Sequence, residues 1–248
     1  MVDKEFVGRT ALVTGGSRGI GRAICQKLAG CGARVAINYV TNQSAAKEVC
    51  QAIGKANGSA AIYRGDVSDP EQTSDMFDKI EKDLGPVDLL VTNAGIARST
   101  DNVTMTSEVW HEIMRTNLDG TFHQVWRAKD GMIKRGYGRI VCISSILGLM
   151  ANPIAAERQI AYGTSKAAIF GFVRNCAAAF GPHVRVNGVA PGFIDTDLTA
   201  DVTDEAREFL IKSTPLRRTG ETGEIAELVH FLLSDKSSFT TGQTHVAS

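Results

Sequence analysis

Residues 10–21 read Thr10-Ala11-Leu12-Val13-Thr14-Gly15-Gly16-Ser17-Arg18-Gly19-Ile20-Gly21. A short apolar run stops at Thr14, glycines follow, and a helical pattern begins at Ile20. Glycine permits a tight turn and a close backbone approach, and a helix N-terminus offers unpaired N–H groups with a positive dipole end. The spacing is GxxxGxG, not GxGxxG, so taken alone the stretch also fits an ordinary strand-to-helix turn. Its place at the start of the chain, inside a βαβ pattern, makes it a dinucleotide phosphate loop. Gly15, Ser17, Arg18, Gly19, Ile20 and Gly21 are the expected contacts.

Outward from this loop, short β-branched runs at 10–14, 34–38, 60–63, 87–91, 139–143 and 184–189 read as strands buried on both faces. Helical patterns alternate with them at 20–29, 44–56, 71–84, 107–135 and 165–180, with two more near 203–212 and 222–233. Asp69-Pro70 supplies an N-cap and first-turn proline. Such alternation predicts an α/β fold, a Rossmann-like, doubly wound parallel sheet with helices on both faces. No linker, charge block or repeat divides the chain, so residues 1–248 are expected to form one dinucleotide-binding and catalytic domain. Ligands in such sheets bind beyond the carboxyl ends of the strands.

Composition excludes several classes. The 248 residues are 43% hydrophobic and 22% charged, which is globular and not disordered or fibrous. Lys+Arg and Asp+Glu are both 27, so there is no basic excess of the kind that nucleic acid or an anionic membrane would favour. Cys25, Cys31, Cys50, Cys142 and Cys176 are scattered and odd in number, reading as reduced apolar residues. Neither the cysteines nor the histidines have metal-ligand spacing, so no metal is expected. The N-terminus has no signal-like apolar stretch, and no run is long enough to span a membrane; a cytoplasmic location is expected.

The end of the second strand bears on the choice of dinucleotide. It reads Ile37-Asn38-Tyr39-Val40-Thr41-Asn42 and holds none of the acids that bind the ribose 2′-hydroxyl of NAD. Asn38 is an expected cofactor contact. Arg18 reads either as a partner for a 2′-phosphate or as a solvated loop residue. NADP(H) is the expected coenzyme.

Tyr162 and Lys166 lie four residues apart at the expected start of a helix, on one face. To exchange a proton near neutrality, a phenol must fall by roughly 2–3 pK units, about 3–4 kcal/mol. A cation ~4 Å away in a dielectric of ~20 supplies about that much. With four tyrosines and eleven lysines, the spacing would arise by chance in about one sequence in six, so it needs companions. They are present at other strand ends: Asn93-Ala94-Gly95, Ser144-Ser145 and Pro191-Gly192, with Asn117 inside the long helical pattern.

Together these motifs resemble the short-chain dehydrogenase/reductase family over nearly the whole chain. The carrying residues are TGGSRGIG (14–21), GDVSD (65–69), NAG (93–95), Asn117, ISS (143–145), YGTSK (162–166) and VAPGFIDTDL (189–198). Within the family the chain looks closest to 3-oxoacyl-carrier-protein reductases and related ketoreductases. The resemblance implies that Tyr162 is the general acid and that Lys166 holds the nicotinamide ribose and lowers the phenol's pKa. It implies that Ser145 binds the substrate oxygen, and that Asn117 positions a water in a proton relay. Asp66 and Val67 would meet adenine. Asn93, Ala94, Gly95, Pro191, Gly192, Ile194 and Thr196 would line the cofactor cleft. Ser144 reads as a backbone-capping hydroxyl, and Asn117 also fits a packing amide.

Two departures stand out. Ser145 and Tyr162 are separated by about four residues more than is usual, around 151–159, and this loop is expected to border the substrate. Relatives also continue through a final strand with a glycine pair, whereas this chain is expected to stop short of it, leaving the usual tetramer less secure. Trp110 and Trp126 fit a dimer face or core packing. Lys134, Arg135, Arg139 and Arg174 fit either an acidic carrier protein or a solvated helix end. An apolar pocket is expected near Ile96, Leu147, Met150 and Phe193. The expected function is NADPH-dependent reduction of a ketone, a 3-oxoacyl thioester or polyketide-like substrate, by a homo-oligomer. A steroid, sugar, quinone or xenobiotic carbonyl is the alternative, and a non-catalytic nucleotide-binding subunit is the more distant one.

Overall fold

The computed structural model describes residues 4–97, 105–151, 156–199 and 202–248. Seven parallel strands lie in the order β3-β2-β1-β4-β5-β6-β7. They are β1 (Thr10–Val13), β2 (Arg34–Tyr39), β3 (Ser59–Arg64), β4 (Val87–Thr92), β5 (Gly138–Ile143), β6 (Val184–Pro191) and β7 (Thr244–Ala247). The chain steps outward from β1 through β2 to β3, then crosses to place β4 on the other side of β1. The strand order therefore reverses between β1 and β4, which opens a crevice at their carboxyl ends.

Successive strand residues face opposite layers, as the two-residue period requires. Val13, Ile37, Val91 and Val141 join one core with α1 (Gly19–Gly30), α2 (Gln43–Lys55) and α8 (Thr222–Leu233). Leu12, Leu90, Ile140 and Cys142 join the other with α3 (Pro70–Leu84), α5 (Gly120–Arg135) and α6 (Ala156–Phe180). The strand runs are apolar throughout because both faces are covered. Among the described residues, no helix is long and apolar enough to cross a membrane.

Three elements differ from expectation. The pattern at 107–135 is not one α-helix: α4 (Ser107–Met114) passes through a π-helical turn, Arg115–Asp119, into α5. Helix α6 begins well before residue 165, so Tyr162 lies inside it. Gly163-Thr164 resembles a helix breaker, yet a Cβ at Gly163 would stand 3.0 Å from Leu147 O, so packing explains that glycine. A final strand also forms. β7 pairs with β6 from Gly188↔Thr244 to Pro191↔Ala247, which overturns the expectation of a chain that stops short of it. Four residues are too few to show a strand period in sequence.

Candidate active site at the carboxyl edge of the sheet

The phosphate loop is built by contacts that exclude side chains. A Cβ at Gly21 would sit 2.3 Å from Gly15 O, and one at Gly16 would sit 2.8 Å from Cys25 Sγ. Gly15 and Gly19 adopt left-handed φ values of 61° and 51°, which suit glycine. The side chains of Asn42, Asp69, Thr106 and Thr203 cap α2, α3, α4 and α7 (Asp204–Ser213). Helix α1 has Arg18 at its N-cap with no side-chain cap, and no acid in its first turn. An uncapped N-terminus at the sheet crevice, beneath a glycine cradle, fits the diphosphate of a dinucleotide.

Thr14 locks this loop to the end of β4. Its hydroxyl accepts from Asn93 N–H at 3.1 Å and Ala94 N–H at 3.2 Å, and Asn93 Nδ2 donates to Thr14 O and Gly15 O. Sequence reading gave Thr14 no role; a polar residue closing an apolar run was the available signal. Asn93 and Ala94 thus belong to the crevice. Asn38, expected as a direct contact, is instead fully buried. Its Oδ1 accepts from Gly15 N–H at 3.2 Å, and its Nδ2 donates to Gly65 O at 2.9 Å. A buried amide must satisfy its own bonds, so Asn38 shapes the loop from below without facing the crevice. Beyond β3, Asp66 Oδ1 accepts from the backbone and hydroxyl of Ser68. Val67 is buried, its carbonyl 3.1 Å from His123 Nδ1.

The second cluster gathers at the end of β5. Ser145 Oγ accepts from Leu147 N–H at 3.2 Å and lies close enough to the Tyr162 phenol to favour its ionised form. Ser144 donates to Lys166 O at 2.7 Å, the backbone task expected of it. Tyr162 and Lys166 share a helix face, with Lys166 Nζ 5.8 Å from the tyrosine ring centroid. Asn117, at the middle of the π turn, is fully buried. Its Oδ1 accepts from Ile96 N–H at 2.8 Å, and its Nδ2 donates to Ile96 O and Ser165 Oγ at 3.0 Å each. Ser165 in turn donates to Tyr162 O, a link that sequence reading missed. A Cβ at Gly95 would lie 3.2 Å from Asn117 Oδ1 and 3.4 Å from Lys166 Nζ, so both groups reach the same spot.

The electrostatics differ from the expected pairing. Lys166 Nζ donates to Ile143 O at 2.9 Å, and burial pushes its pKa down to about 8. Burial pushes the Tyr162 phenol above its usual range, and the Ser145 hydrogen bond opposes this. The lysine lies beside the ring with its ammonium committed to a carbonyl, and burial is the larger influence on the phenol. Tyr162 therefore holds its proton at neutral pH.

After β6, Pro191 pairs with β7 and Gly192 N–H donates to Ala247 O. Ile194 is buried in a bridge to Gly220. Thr196 Cγ2 would lie 3.5 Å from a Cβ at Gly19, which brings this segment against the phosphate loop. There Arg18 Nη1 approaches Asp197 at 3.8 Å, both side chains exposed. Between the segment after β5 and helix α6 lies a cavity of about 420 Å³ lined by Leu147, Leu149, Met150, Ile160 and Ala167 among others. It includes Leu147 and Met150 of the expected pocket but not Ile96, Phe193, Ser145 or Tyr162. Of the 151–159 loop, residues 152–155 lie outside the described residues. Of the expected basic group, Arg135 is bound to Val87 O and Asp88, and Arg139 pairs with Asp235. Lys134 and Arg174 of that group are exposed.

A family model described as enoyl-(acyl carrier protein) reductase matches residues 15–248. A 3-oxoacyl-[acyl-carrier-protein] reductase of Escherichia coli is 39% identical over 241 residues, 97% of this chain and 96% of that one. The chain belongs to the short-chain dehydrogenase/reductase family. An acetoacetyl-CoA reductase of Rhizobium meliloti is 42% identical over 242 residues, 96% of each chain. Among solved structures, a gluconate 5-dehydrogenase from Burkholderia cenocepacia in complex with NADP and tartrate superimposes with a TM-score of 0.91 at 31% identity. That match covers 100% of this chain and 96% of the other. A 3-oxoacyl-[acyl-carrier protein] reductase from Brucella melitensis with bound NAD gives 0.89 at 33%, covering 99% and 92%. This family member is an oxidoreductase of the C=O/CH–OH couple, with the Rossmann-like fold of its neighbours.

Proposed function

We propose that the protein is an NADP(H)-dependent ketoreductase that converts a ketone, a 3-oxoacyl thioester foremost, to a secondary alcohol with Tyr162 as general acid. The observation that carries this is geometric: Tyr162 and Lys166 share one face of α6, and Lys166 Nζ meets Asn117 Oδ1 at Gly95, at the carboxyl edge of the sheet. When bound, the nicotinamide supplies hydride to the carbonyl carbon. Tyr162 then gives its proton to the oxygen, and Ser145 holds that oxygen as charge develops on it. Lys166 Nζ, which reaches Asn117 at Gly95, is placed to bind a ribose hydroxyl, and Asn117 to position a water that relays a proton toward Tyr162. Gly15, Ser17, Gly19, Ile20 and Gly21 hold the diphosphate, with Asp66 and Val67 toward the adenine. Residues 1–248 act as one catalytic unit.

The coenzyme preference rests on the acid-free end of β2, and the thioester class on the curated relatives. The gluconate 5-dehydrogenase neighbour supports a second reading, a polyhydroxy acid as substrate. Following NADPH and NADH oxidation with acetoacetyl thioesters, and NADP reduction with gluconate, separates the two. Turnover of neither, with active control enzymes, overturns both.

Phe122 and Trp126 stack at 5.2 Å on α5, with Trp126 51% exposed. This aromatic face supports a homo-oligomer. We place the protein in the cytoplasm, where five cysteines that form no disulfide among the described residues suit a reducing milieu.

A further inference from the structure

In dinucleotide folds, an acid at the end of the second strand binds a 2′-hydroxyl, while an arginine nearby accommodates a 2′-phosphate. Here the end of β2 holds neither. Asn38 and Tyr39 are buried, and the Asn42 side chain is used to cap α2. The neighbouring strand supplies the missing charge. Arg64, the last residue of β3, is the register partner of Tyr39. Its Nε donates to Val40 O at 3.2 Å, which pins an exposed guanidinium to the carboxyl edge of β2. Among the described residues this is its one hydrogen bond, and no carboxylate pairs with it.

The same edge is tied to the phosphate loop. Gly65, next to Arg64, accepts from Asn38 Nδ2, and Asn38 accepts from Gly15 N–H. Arg18, the loop's own guanidinium, is drawn instead toward Asp197, beyond β6 on the other flank of β1.

We propose that Arg64 is a specificity-determining residue, donating its Nη hydrogens to the 2′-phosphate of the coenzyme. The assignment rests on the NADP(H) reading given above. A guanidinium forks onto a phosphate through paired charge-assisted bonds. Its backbone tether leaves less side-chain freedom to lose on binding. Because the group is exposed, the discrimination weakens as salt rises.

Calorimetric titration of the full-length protein with 2′,5′-ADP and with 5′-AMP isolates this contact, because the 2′-phosphate is the difference between the probes. Arg64→Gln is expected to lose about 10-fold or more in affinity for 2′,5′-ADP and less than about 2-fold for 5′-AMP. Arg64→Lys is expected to recover part of the loss, and unchanged thermal melting without nucleotide confirms that each variant folds. A wild type that prefers 2′,5′-ADP, with the preference intact in Arg64→Gln, overturns the Arg64 assignment and leaves the NADP(H) reading standing. A wild type that binds both probes alike overturns the coenzyme preference and Arg64 with it. Binding of neither probe removes the nucleotide site itself.

Discussion

Two regions of the molecule are built differently. On the phosphate side, Thr14, Asn38, Asn93 and Asn117 are tied to backbone groups, and three of the four are buried to within 1%. Elsewhere, the cavity wall formed by Leu149, Met150 and Ile160 is at least 50% exposed at each of these residues. The first side is set before any ligand arrives, so it fixes the chemistry. The second presents apolar surface still open to a ligand.

The sharpest way to break this contrast is at Tyr162. Tyr162→Phe should lower kcat by about 10³-fold or more while leaving NADPH affinity, read by fluorescence titration, nearly unchanged. Retained turnover would remove the assigned acid.

Gly21→Ala tests the rigidity of the phosphate side. The new methyl would face Gly15 O and Asn93 Nδ2 at 2.3 and 2.7 Å. The main-chain oxygen can move only with the loop, so a loss of about 1–3 kcal/mol in denaturant unfolding is expected, with weaker nucleotide binding. The same change at Gly54, which has open space around it, should do neither.

Lys166 gives a pH signature. Its folded pKa of about 8 lies below the ordinary value of 10.5. Between those values the unfolded chain binds more proton than the folded one, so stability rises with pH across that window. The penalty is fully present below pH 8 and is relieved toward 10.5. It amounts to about 3 kcal/mol. Chemical unfolding of wild type and Lys166→Met at pH 7.5 and 10 should show a rise in the wild type that the variant lacks; parallel curves would refute the buried ammonium. The smallest effect belongs to Asp197→Asn. Releasing Arg18 from an exposed pair should tighten NADPH by no more than about 3-fold, since such pairs are worth under ~1 kcal/mol.

Much of the phosphate side was legible in the sequence. Six apolar runs marked β1 to β6, and glycines 15, 19 and 21 marked the turn, because burial on both faces and steric exclusion both leave residue-type signatures. Tyr162, Ser145 and Asn117 were found from motif companions, and the fold brings all three to one edge. Other features were not legible. Asn38 and Lys166 were read by residue type, whereas their roles depend on direction: one amide turned under a loop, one ammonium turned to Ile143 O. Arg64 was passed over because its partner strand supplies the context. The π turn left no mark, since one extra residue barely disturbs a 3.6-residue period.

That turn has a topological consequence. One residue of surplus turns α4, which packs on α6, relative to α5, which packs on α3 and β4. Removing any single residue there would let the ladder close up and would swing its leading half by about 100°. The buried amide at 117 would then part from the backbone of Ile96 that it clasps, and the catalytic edge would come undone with Tyr162, Ser145 and Lys166 all unchanged.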